Sequence, residues 1–133
     1  MILLDTHVAL WFVAGSSSIG RQSRRIVRQA VANSQLVVSA VSFWEIALLI
    51  AKRRLRSVDS AEQMRHLVLS AGATELPLTG ESAILAGELD GLHGDPADRF
   101  IAATAIVHDA TLVTADDRLL RWRHSLRRHN AES

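Results

Sequence analysis

Acidic residues recur in this 133-residue sequence where short apolar segments give way to polar ones. Asp5, Glu45 and Asp116 each stand shortly after such a segment. Asp98 stands near the start of a small-residue segment that opens with Asp95-Pro96. Carboxylates that meet in one place can hold a divalent cation, and a bound cation can activate water for attack on a phosphodiester. The chemistry available to these residues is therefore metal-assisted hydrolysis, provided that the fold brings them together.

The elements that must position these acids follow an alternating pattern. Short apolar runs alternate with longer amphipathic segments, which is typical of βα units that build a largely parallel sheet. We expect buried strands at residues 2–4, 36–38, 74–78 and 112–113. We expect helices at residues 8–13, 21–32, 43–54, 61–71, 81–90, 97–107 and, in a basic C-terminal segment, from 118 to 122. The predicted fold class is α/β, a three-layer α/β/α sandwich around a largely parallel sheet of about four or five strands. Residues 1–133 are expected to form one domain, and residues 124–133 have no clear pattern.

This topology predicts that the acids converge. Right-handed crossovers bring the carboxyl ends of parallel strands to one edge of the sheet, and ligands bind in the crevice outside that edge. The helix after Asp95 must start at the same edge, because the chain runs down it before returning along the next strand. Two ionised carboxylates about 4 Å apart repel by about 4 kcal/mol at an effective dielectric constant of about 20. A convergent cluster therefore needs a bound cation or raised pKa values. Oxygen ligands without cysteine favour Mg²⁺ or Mn²⁺ over zinc.

Each acid also has a purely structural explanation. Ser42 and Glu45 have the spacing of a capping box, and Asp95-Pro96 is typical of a helix start. Asp5 could cap the helix that follows the first strand, and Asp98 suits the first turn of its own helix. Residue by residue, the capping interpretation is favoured over catalysis. Only the joint pattern favours a shared metal site.

Composition excludes several other kinds of protein. The sequence has no cysteine, which excludes disulfides, thiolate zinc sites and cysteine nucleophiles. Its single lysine, Lys52, follows no glycine-rich loop, so a phosphate-binding Gly-Lys-Ser/Thr loop is absent. With 48% hydrophobic and 22% charged residues, the chain has material for one sizeable core. No basic signal-peptide start or membrane-spanning run is visible, so we expect a cytoplasmic location and no membrane contact.

Arginines and tryptophans provide the candidate contacts to nucleic acid. The arginines concentrate in three blocks, at residues 21–28, 53–56 and 118–128. Each block could attract a polyanion or simply form a solvated helix face. Arg118 and Arg121 are candidate contacts to a nucleic acid. Arg99 is a candidate phosphate contact or an internal partner of an acid, and we favour the internal partner.

The three tryptophans could stack on bases or pack into the core. We expect Trp11 and Trp44 to pack in the core, and the sequence favours neither role for Trp122. His7 and His93 lie near the acids, and each is expected to be packed or hydrogen-bonded. For His93, a role in placing Asp95 is one possibility.

Four sequence blocks, taken together, resemble those of PIN-domain ribonucleases, and most closely the VapC toxins of type II toxin–antitoxin pairs. The blocks are Leu3-Leu-Asp5-Thr6-His7, Ser42-Phe-Trp44-Glu45, His93-Gly-Asp95-Pro96-Ala-Asp98-Arg99 and Thr114-Ala-Asp116. They have the family's order and spacing from residue 1 to about residue 120. Any one block alone would be weak evidence.

The resemblance implies a role for each matching residue. Asp5, Glu45, Asp98 and Asp116 match the acidic quartet that coordinates Mg²⁺ or Mn²⁺. Thr6 and Thr114 match small polar positions near the metal, and Asp95 matches an additional acid. The family cleaves RNA endonucleolytically, and Glu45 or Asp98 is then a candidate for orienting the attacking water. VapC toxins usually form homodimers and are silenced by a cognate VapB-type antitoxin, whose C-terminal segment occupies the active-site groove.

Departures from the family pattern affect the groove wall and the tail. Arg53-Arg54-Leu55 stands where Gly-Arg-Leu is common, and Ala97 replaces a bulkier residue. The strand that commonly closes the sheet beyond residue 120 is not obvious. These changes affect substrate choice more than the chemistry of the quartet.

Two other classes of function compete with a nuclease. A non-catalytic nucleic-acid-binding or regulatory domain would use the basic helices, with the acids serving only as caps. An aspartyl-phosphate enzyme or receiver domain also gathers acids at strand ends. It is disfavoured because position 7 is a histidine where such phosphatases have a second aspartate, and because Lys52 comes too early for a receiver's lysine.

Overall fold

The structure is a computed structural model that describes residues 1–56 and 58–133. Its strands are β1 (Ile2–Leu4), β2 (Leu36–Ser39), β3 (Thr74–Leu76), β4 (Thr111–Thr114) and β5 (Arg128–Asn130). Its helices are α1 (Thr6–Ala14), α2 (Arg21–Ala32), α3 (Ala40–Ala51), α4 (Ala61–Ser70), α5 (Gly80–Glu88), α6 (Pro96–Val107) and α7 (Asp117–Leu120). Across the described part of the chain, no helix combines the length and the apolar character that crossing a membrane requires.

The five strands form one parallel sheet in the order β3-β2-β1-β4-β5. In the central strand β1, Leu3 lies opposite Val37 of β2 on one side and Leu112 of β4 on the other. The chain leaves β1 toward β2 and later returns on the opposite side of β1 as β4, so the strand order reverses between β1 and β4. In such sheets a crevice forms at the carboxyl ends of the strands where the order reverses. Asp5 and Asp116 follow the two strands that flank it.

Helices cover both faces of the sheet because its central strands are apolar on both sides. On one face, Leu3, Val37 and Leu112 pack against α5, α6 and the segment that contains α7. On the other face, Leu4 and Val38 pack with apolar residues of α1, α2, α3 and α4. The expected three-layer α/β/α sandwich with a parallel sheet is therefore confirmed.

The start of α3 differs from the sequence expectation. Ser39, not Ser42, caps this helix, because the Ser39 side chain accepts a hydrogen bond from the N–H of Val41. The expected capping box between Ser42 and Glu45 is therefore wrong. Ser42 is fully buried and accepts a 3.0 Å hydrogen bond from the Thr6 hydroxyl. Glu45 consequently lies in the second turn of α3, where it is not needed as a cap.

The C-terminal segment also differs from the expectation. The predicted basic helix is only one turn, α7, and it ends at Leu120. After it comes β5, the edge strand, whose sequence Arg-His-Asn carries no apolar run that could announce it. An edge strand with polar side chains is held chiefly by backbone hydrogen bonds to its one neighbour. In this ladder Asn130 lies opposite Thr114 of β4.

Candidate active site

A cavity of about 270 Å³ lies at the carboxyl ends of β1 and β4. It is lined by Asp5, Thr6, His7, Glu45, Asp95, Asp98, Ala115, Asp116 and Arg118. Residues that are far apart in the sequence thus face one space, supplied by the ends of two strands and by the starts of α1, α3 and α6. The fold brings together the four acids of the predicted quartet, and their roles in metal binding and catalysis stay predictions.

Asp5 is almost completely buried, with 7% of its surface exposed. Its Oδ1 accepts a 2.9 Å hydrogen bond from the N–H of Val8 and so caps α1, while its Oδ2 accepts a hydrogen bond from the Thr114 hydroxyl. Thr114 is also buried, and its Oγ1 accepts the N–H of Asp116 at 3.1 Å. Burial raises the pKa of Asp5, and the hydrogen bonds from Thr114 and Val8 oppose the rise. Thr114 therefore connects Asp5 to the turn that contains Asp116, and so fixes their relative positions.

Asp98 has a strongly raised pKa. It lies in the first turn of α6, where its N–H donates to Oδ1 of the N-cap Asp95 at 3.2 Å. Burial and then the charges of Asp95, Asp116, Glu45 and Asp5 raise the pKa of Asp98 from 3.8 to about 8. At neutral pH, and without a cation, Asp98 therefore keeps its proton. This is the response expected of a carboxyl group that is buried among other acids.

Asp116 shows the opposite shift because of Arg118. Partial burial favours the neutral form of Asp116, but hydrogen bonds from the side chain and the N–H of Arg118, together with its charge, lower the pKa. Nη2 of Arg118 lies 3.0 Å from Oδ2 of Asp116 and 3.6 Å from Oδ2 of Asp98. Asp98 and Asp116 thus form a pair in which one carboxyl group keeps a proton and the other stays ionised.

His93 approaches the same pair. Its Nδ1 accepts the N–H of Asp95 at 3.3 Å, in agreement with a role in placing Asp95. Because Nδ1 of His93 is a hydrogen-bond acceptor, the single ring hydrogen of the neutral imidazole lies on Nε2. Nε2 lies 3.2 Å from Oδ2 of Asp98, a proximity that sequence reasoning missed. The only available signal was the short spacing from His93 to Asp98. One ring nitrogen of His93 and one carboxylate oxygen each from Asp98 and Asp116 lie within 4.8 Å of one another, so these three side chains converge at one point.

Arg99 donates hydrogen bonds to backbone carbonyl oxygens and not to an acidic side chain. Its guanidinium donates hydrogen bonds to the carbonyl oxygens of Ala86, Leu89 and Leu92 at 2.7 to 2.8 Å and of His93 at 3.2 Å. The expected internal role is therefore correct, but the expected acidic partner is wrong. These bonds occupy the donors that a phosphate would need. Arg99 instead fixes the connection between α5 and α6 that carries His93.

The remaining candidates occupy different environments. Thr6 is buried, whereas His7 is exposed at the cavity. Arg121 is exposed just after α7, one turn beyond Arg118. The side chain of Arg118 is 59% exposed, so it reaches both the cavity and solvent.

The tryptophans differ in part from the expectation. Trp44 was expected in the core, but half of its surface is exposed. Trp11 is half-buried and packs against the core, as expected. Trp122 is buried, its indole N–H donates to the carbonyl of Asp90 at 2.9 Å, and its ring stacks on His124 with centroids 4.2 Å apart. Trp122 is therefore a packing residue with no free face of the kind that base stacking uses.

Comparisons with known proteins agree with this architecture. Residues 2–124 match the model of the PIN domain family. The chain is 34% identical over 127 residues to Ribonuclease VapC22 of Mycobacterium tuberculosis, covering 92% of each protein. A solved structure of VapBC2 from Rickettsia felis, bound to a promoter DNA fragment, aligns with a TM-score of 0.70 and 20% identity over 98% of each chain. DNA-bound VapBC from Salmonella typhimurium aligns with a TM-score of 0.69 and 17% identity over 96% of each chain.

These matches extend over nearly the whole sequence, including every segment that contributes an acid to the cavity. The structural neighbours share the fold at low sequence identity, and the relative from Mycobacterium tuberculosis shares sequence as well. The chain therefore belongs to the PIN domain family.

Proposed function

We propose that this protein is a divalent-metal-dependent endoribonuclease that acts in the cytoplasm as the toxin of a toxin–antitoxin pair. Membership of the PIN family and the similarity to a ribonuclease support the activity. The observation that carries the chemistry is the shared cavity of Asp5, Glu45, Asp98 and Asp116, in which the pKa of Asp98 rises to about 8. Four acids in this arrangement do not all ionise at neutral pH unless a cation joins them.

The donor set of the cavity fits Mg²⁺ or Mn²⁺. Asp5, Glu45 and Asp98 would hold the principal ion through carboxylate oxygens, the ligands that hard divalent cations prefer, and Asp116 would complete its shell or that of a second ion. The raised pKa of Asp98 supports this assignment, because the proton on Asp98 reduces the negative charge of the cavity as a bound cation would. A divalent ion held in this way lowers the pKa of a bound water and neutralises negative charge that develops on the phosphate.

The protein's own groups have separable tasks in the proposed reaction. Glu45 or Asp98 orients the attacking water through a carboxylate oxygen. Thr114 keeps Asp5 and the Asp116 turn in register, and Thr6 supports α3 through its bond to Ser42. Asp95 and His93 hold the first turn of α6 and so set the position of Asp98. Arg118 lines the cavity, and Arg121 is exposed one turn further along the chain; both offer positive charge for contacts to substrate phosphates.

Single-stranded or looped RNA is the proposed substrate class. An A-form duplex presents a deep, narrow major groove and hides its bases, whereas loops and single strands expose theirs. The cavity is only about 270 Å³ and lies at the sheet edge, so one backbone phosphate must come to it. A flexible strand meets that requirement with less distortion than a duplex.

The decisive experiment is cleavage of a fluorophore-quencher single-stranded RNA with Mn²⁺, with Mg²⁺ and with a chelator. We expect cleavage with either metal ion and none with the chelator. Loss of a residue that only supports a metal ligand costs up to about 100-fold in activity. Because Asp98 is proposed as a ligand itself, Asp98→Asn should lower the cleavage rate by at least about 100-fold. Asp117→Asn is the matched control, because Asp117 is exposed and lies next to Asp116 outside the cavity lining. Unchanged cleavage by Asp98→Asn would contradict the proposal.

The alternative, a non-catalytic nucleic-acid-binding domain, has some structural support. Asp5, Asp95 and Asp116 each cap a helix. Glu45 and Asp98 do not, since the N-caps of their helices are Ser39 and Asp95. Asp98 still lies in the first turn of α6, where a negative charge suits the helix, but Glu45 lies in the second turn of α3 and has no such role. The alternative predicts RNA binding by the wild type with no metal-dependent cleavage under any condition.

Two protein partners belong to the proposal. A cognate VapB-type antitoxin is supported by the solved VapBC assemblies that share this fold. Its C-terminal segment would occupy the cavity and block access of RNA. A homodimer is supported by the large apolar side chains that the single chain leaves exposed, above all Trp44 at 50% and Ile84 at 65%.

A further inference from the structure

A second basic surface lies on α2, outside the acidic cavity. Arg21, Arg24, Arg25 and Arg28 recur at the i, i+3, i+4 and i+7 spacing that places side chains on one helix face. All four are exposed. Together they line a cavity of about 610 Å³. We refer to these four residues as the arginine stripe.

The arginine stripe has no acidic side chain as a close partner within the described residues. No ion pair involving the stripe is found among residues 1–56 and 58–133. The first turn of α2 contains no acid, although the N-terminus of a helix favours negative charge. Arg21 repels Arg25, and Arg24 repels Arg28, at the i, i+4 spacing. This arrangement is unfavourable for the isolated helix and becomes favourable when an anion lies along it.

The start of the stripe lies on the same sheet edge as the acidic cavity. The N–H of Gly20, the N-cap of α2, donates to the carbonyl of Ala131 at 2.9 Å, and the Ser23 hydroxyl donates to the carbonyl of Asn130 at 3.0 Å. Asn130 lies opposite Thr114 in the ladder, and the Thr114 hydroxyl donates to Asp5. With adjacent strands about 4.8 Å apart, the end of β5, against which α2 starts, lies two strand spacings, roughly 10 Å, from the end of β1 that carries Asp5.

We propose that the arginine stripe binds the phosphate backbone of the RNA strand that extends from the active-site cavity. This inference rests on the proposed ribonuclease function and adds a substrate track to it. Arg21, Arg25 and Arg28 contact the phosphates directly. Arg24 has a different part, because its Nε already donates to the carbonyl of Ile19 at 2.9 Å, which fixes its side chain against the loop before α2. An RNA polyanion fits the stripe because several regularly spaced positive charges match a chain of phosphates.

The test is binding of a fluorescent single-stranded RNA, by anisotropy, in a chelator so that binding is separated from cleavage. We expect the triple variant Arg21→Gln, Arg25→Gln, Arg28→Gln to bind about tenfold more weakly at low salt. Each phosphate contact on a single strand makes the plot of log affinity against log salt concentration steeper by about 0.7. Loss of three contacts should therefore make this plot shallower by about 2. With metal present, the triple variant should show a raised KM for a long RNA and an unchanged kcat.

The matched control changes the net charge by the same amount elsewhere, with Gln63→Glu, Ser70→Glu and Thr74→Glu. These residues are exposed on α4 and β3, outside the lining of the acidic cavity. The control variant has the same net charge as the triple variant and should bind RNA within about twofold of the wild type. Equal weakening in both variants, or none in the triple variant, would overturn the proposal.

Normal RNA binding by the triple variant together with lost affinity for the antitoxin would also overturn it, in favour of a protein partner. Failure of the ribonuclease function itself would appear separately, as a wild type that binds RNA in chelator but does not cleave it when metal is added.

Discussion

Asp98 and Asp116 show how one cavity gives two carboxyl groups opposite properties. Burial and four neighbouring acids raise the pKa of Asp98 to about 8, whereas Arg118 lowers the pKa of Asp116 despite its partial burial. His93 and Arg118 both lie near Oδ2 of Asp98 but do not outweigh burial and the neighbouring acids. The pair therefore holds one proton in the absence of metal, and a divalent cation must displace that proton in order to bind.

The raised pKa of Asp98 predicts how stability depends on pH in chelator. The folded protein binds this proton more tightly than the unfolded chain, in which the pKa of Asp98 is 3.8. The stabilising contribution of the proton is therefore complete below about pH 4. It is lost as the pH rises toward 8. Between pH 4.5 and 7.5 we expect the free energy of unfolding of the wild type to fall, relative to Asp98→Asn, by about 2 kcal/mol, a value reduced for partial solvation.

Urea unfolding at several pH values, with and without Mn²⁺, checks this prediction. Mn²⁺ should restore stability to the wild type at pH 7.5 and have little effect on Asp98→Asn. Asp59→Asn, which removes an exposed carboxylate outside the cavity, should follow the wild type. Parallel curves for the wild type and Asp98→Asn would show that Asp98 does not carry the shifted proton.

At the level of elements, the junction of α2 with the end of β5 determines where the arginine stripe lies. A Cβ on Gly20 would lie 2.2 Å from the carbonyl carbon of Ser133, which is far closer than real Cβ contacts. The N–H of Ser23 donates to the carbonyl of the same Ser133 at 3.1 Å. Only a glycine at position 20 therefore lets the chain approach α2 this closely.

Gly20→Ala should lower the free energy of unfolding by about 1 to 3 kcal/mol, because backbone must move to admit the methyl group. Gly87→Ala in α5 is the matched control, since nothing lies within 4 Å of the added Cβ. There the greater helix propensity of alanine should raise stability by about 0.5 to 1 kcal/mol. Urea unfolding measures both variants, and a Gly20→Ala variant that gains stability as Gly87→Ala does would contradict the close packing of this junction.

At the level of the whole molecule, α3 links the active site to a surface that the single chain does not cover. Glu45 faces the cavity, while the adjacent Trp44 is 50% exposed. Ala47 and Ala51 are exposed on the same side of the helix, at i+3 and i+7 from Trp44. A second copy of the chain packed on this side would bury Trp44 and brace the helix that carries Glu45.

The proposed homodimer predicts a mass of twice the 14.6 kDa chain in sedimentation. Trp44→Lys should weaken self-association by about 30-fold or more, equivalent to the roughly 2 kcal/mol typical of an interface hot spot. Gln22→Lys is the control, because Gln22 is exposed on α2 and not on the Trp44 side of α3. A wild type that sediments as a monomer at micromolar concentration, or equal dissociation in both variants, would exclude this interface.

The central part of the fold could be predicted from the sequence because its signals are local. The apolar runs of β1, β2 and β4 and the helix starts at Ser60 and Asp95 depend on residues close together in the chain. The start of α3 could not be predicted with the same accuracy, because Ser39 and Ser42 are both good caps and tertiary packing buries Ser42 against Thr6. The polar edge strand β5 has no local signal, since its partner β4 supplies the hydrogen bonds that define it.

The sequence by itself determined the PIN-type α/β architecture and placed acids after two central strands, because alternating apolar periods and strand-end residues are properties of neighbouring positions. Only the tertiary structure decided which side chains meet. It directed Arg99 to carbonyl oxygens at the end of α5, set His93 and Arg118 beside Asp98, exposed Trp44 and buried Trp122. The physical reason is that charge, burial and hydrogen-bond partners act through space, and the sequence spacing of these residues does not specify those distances.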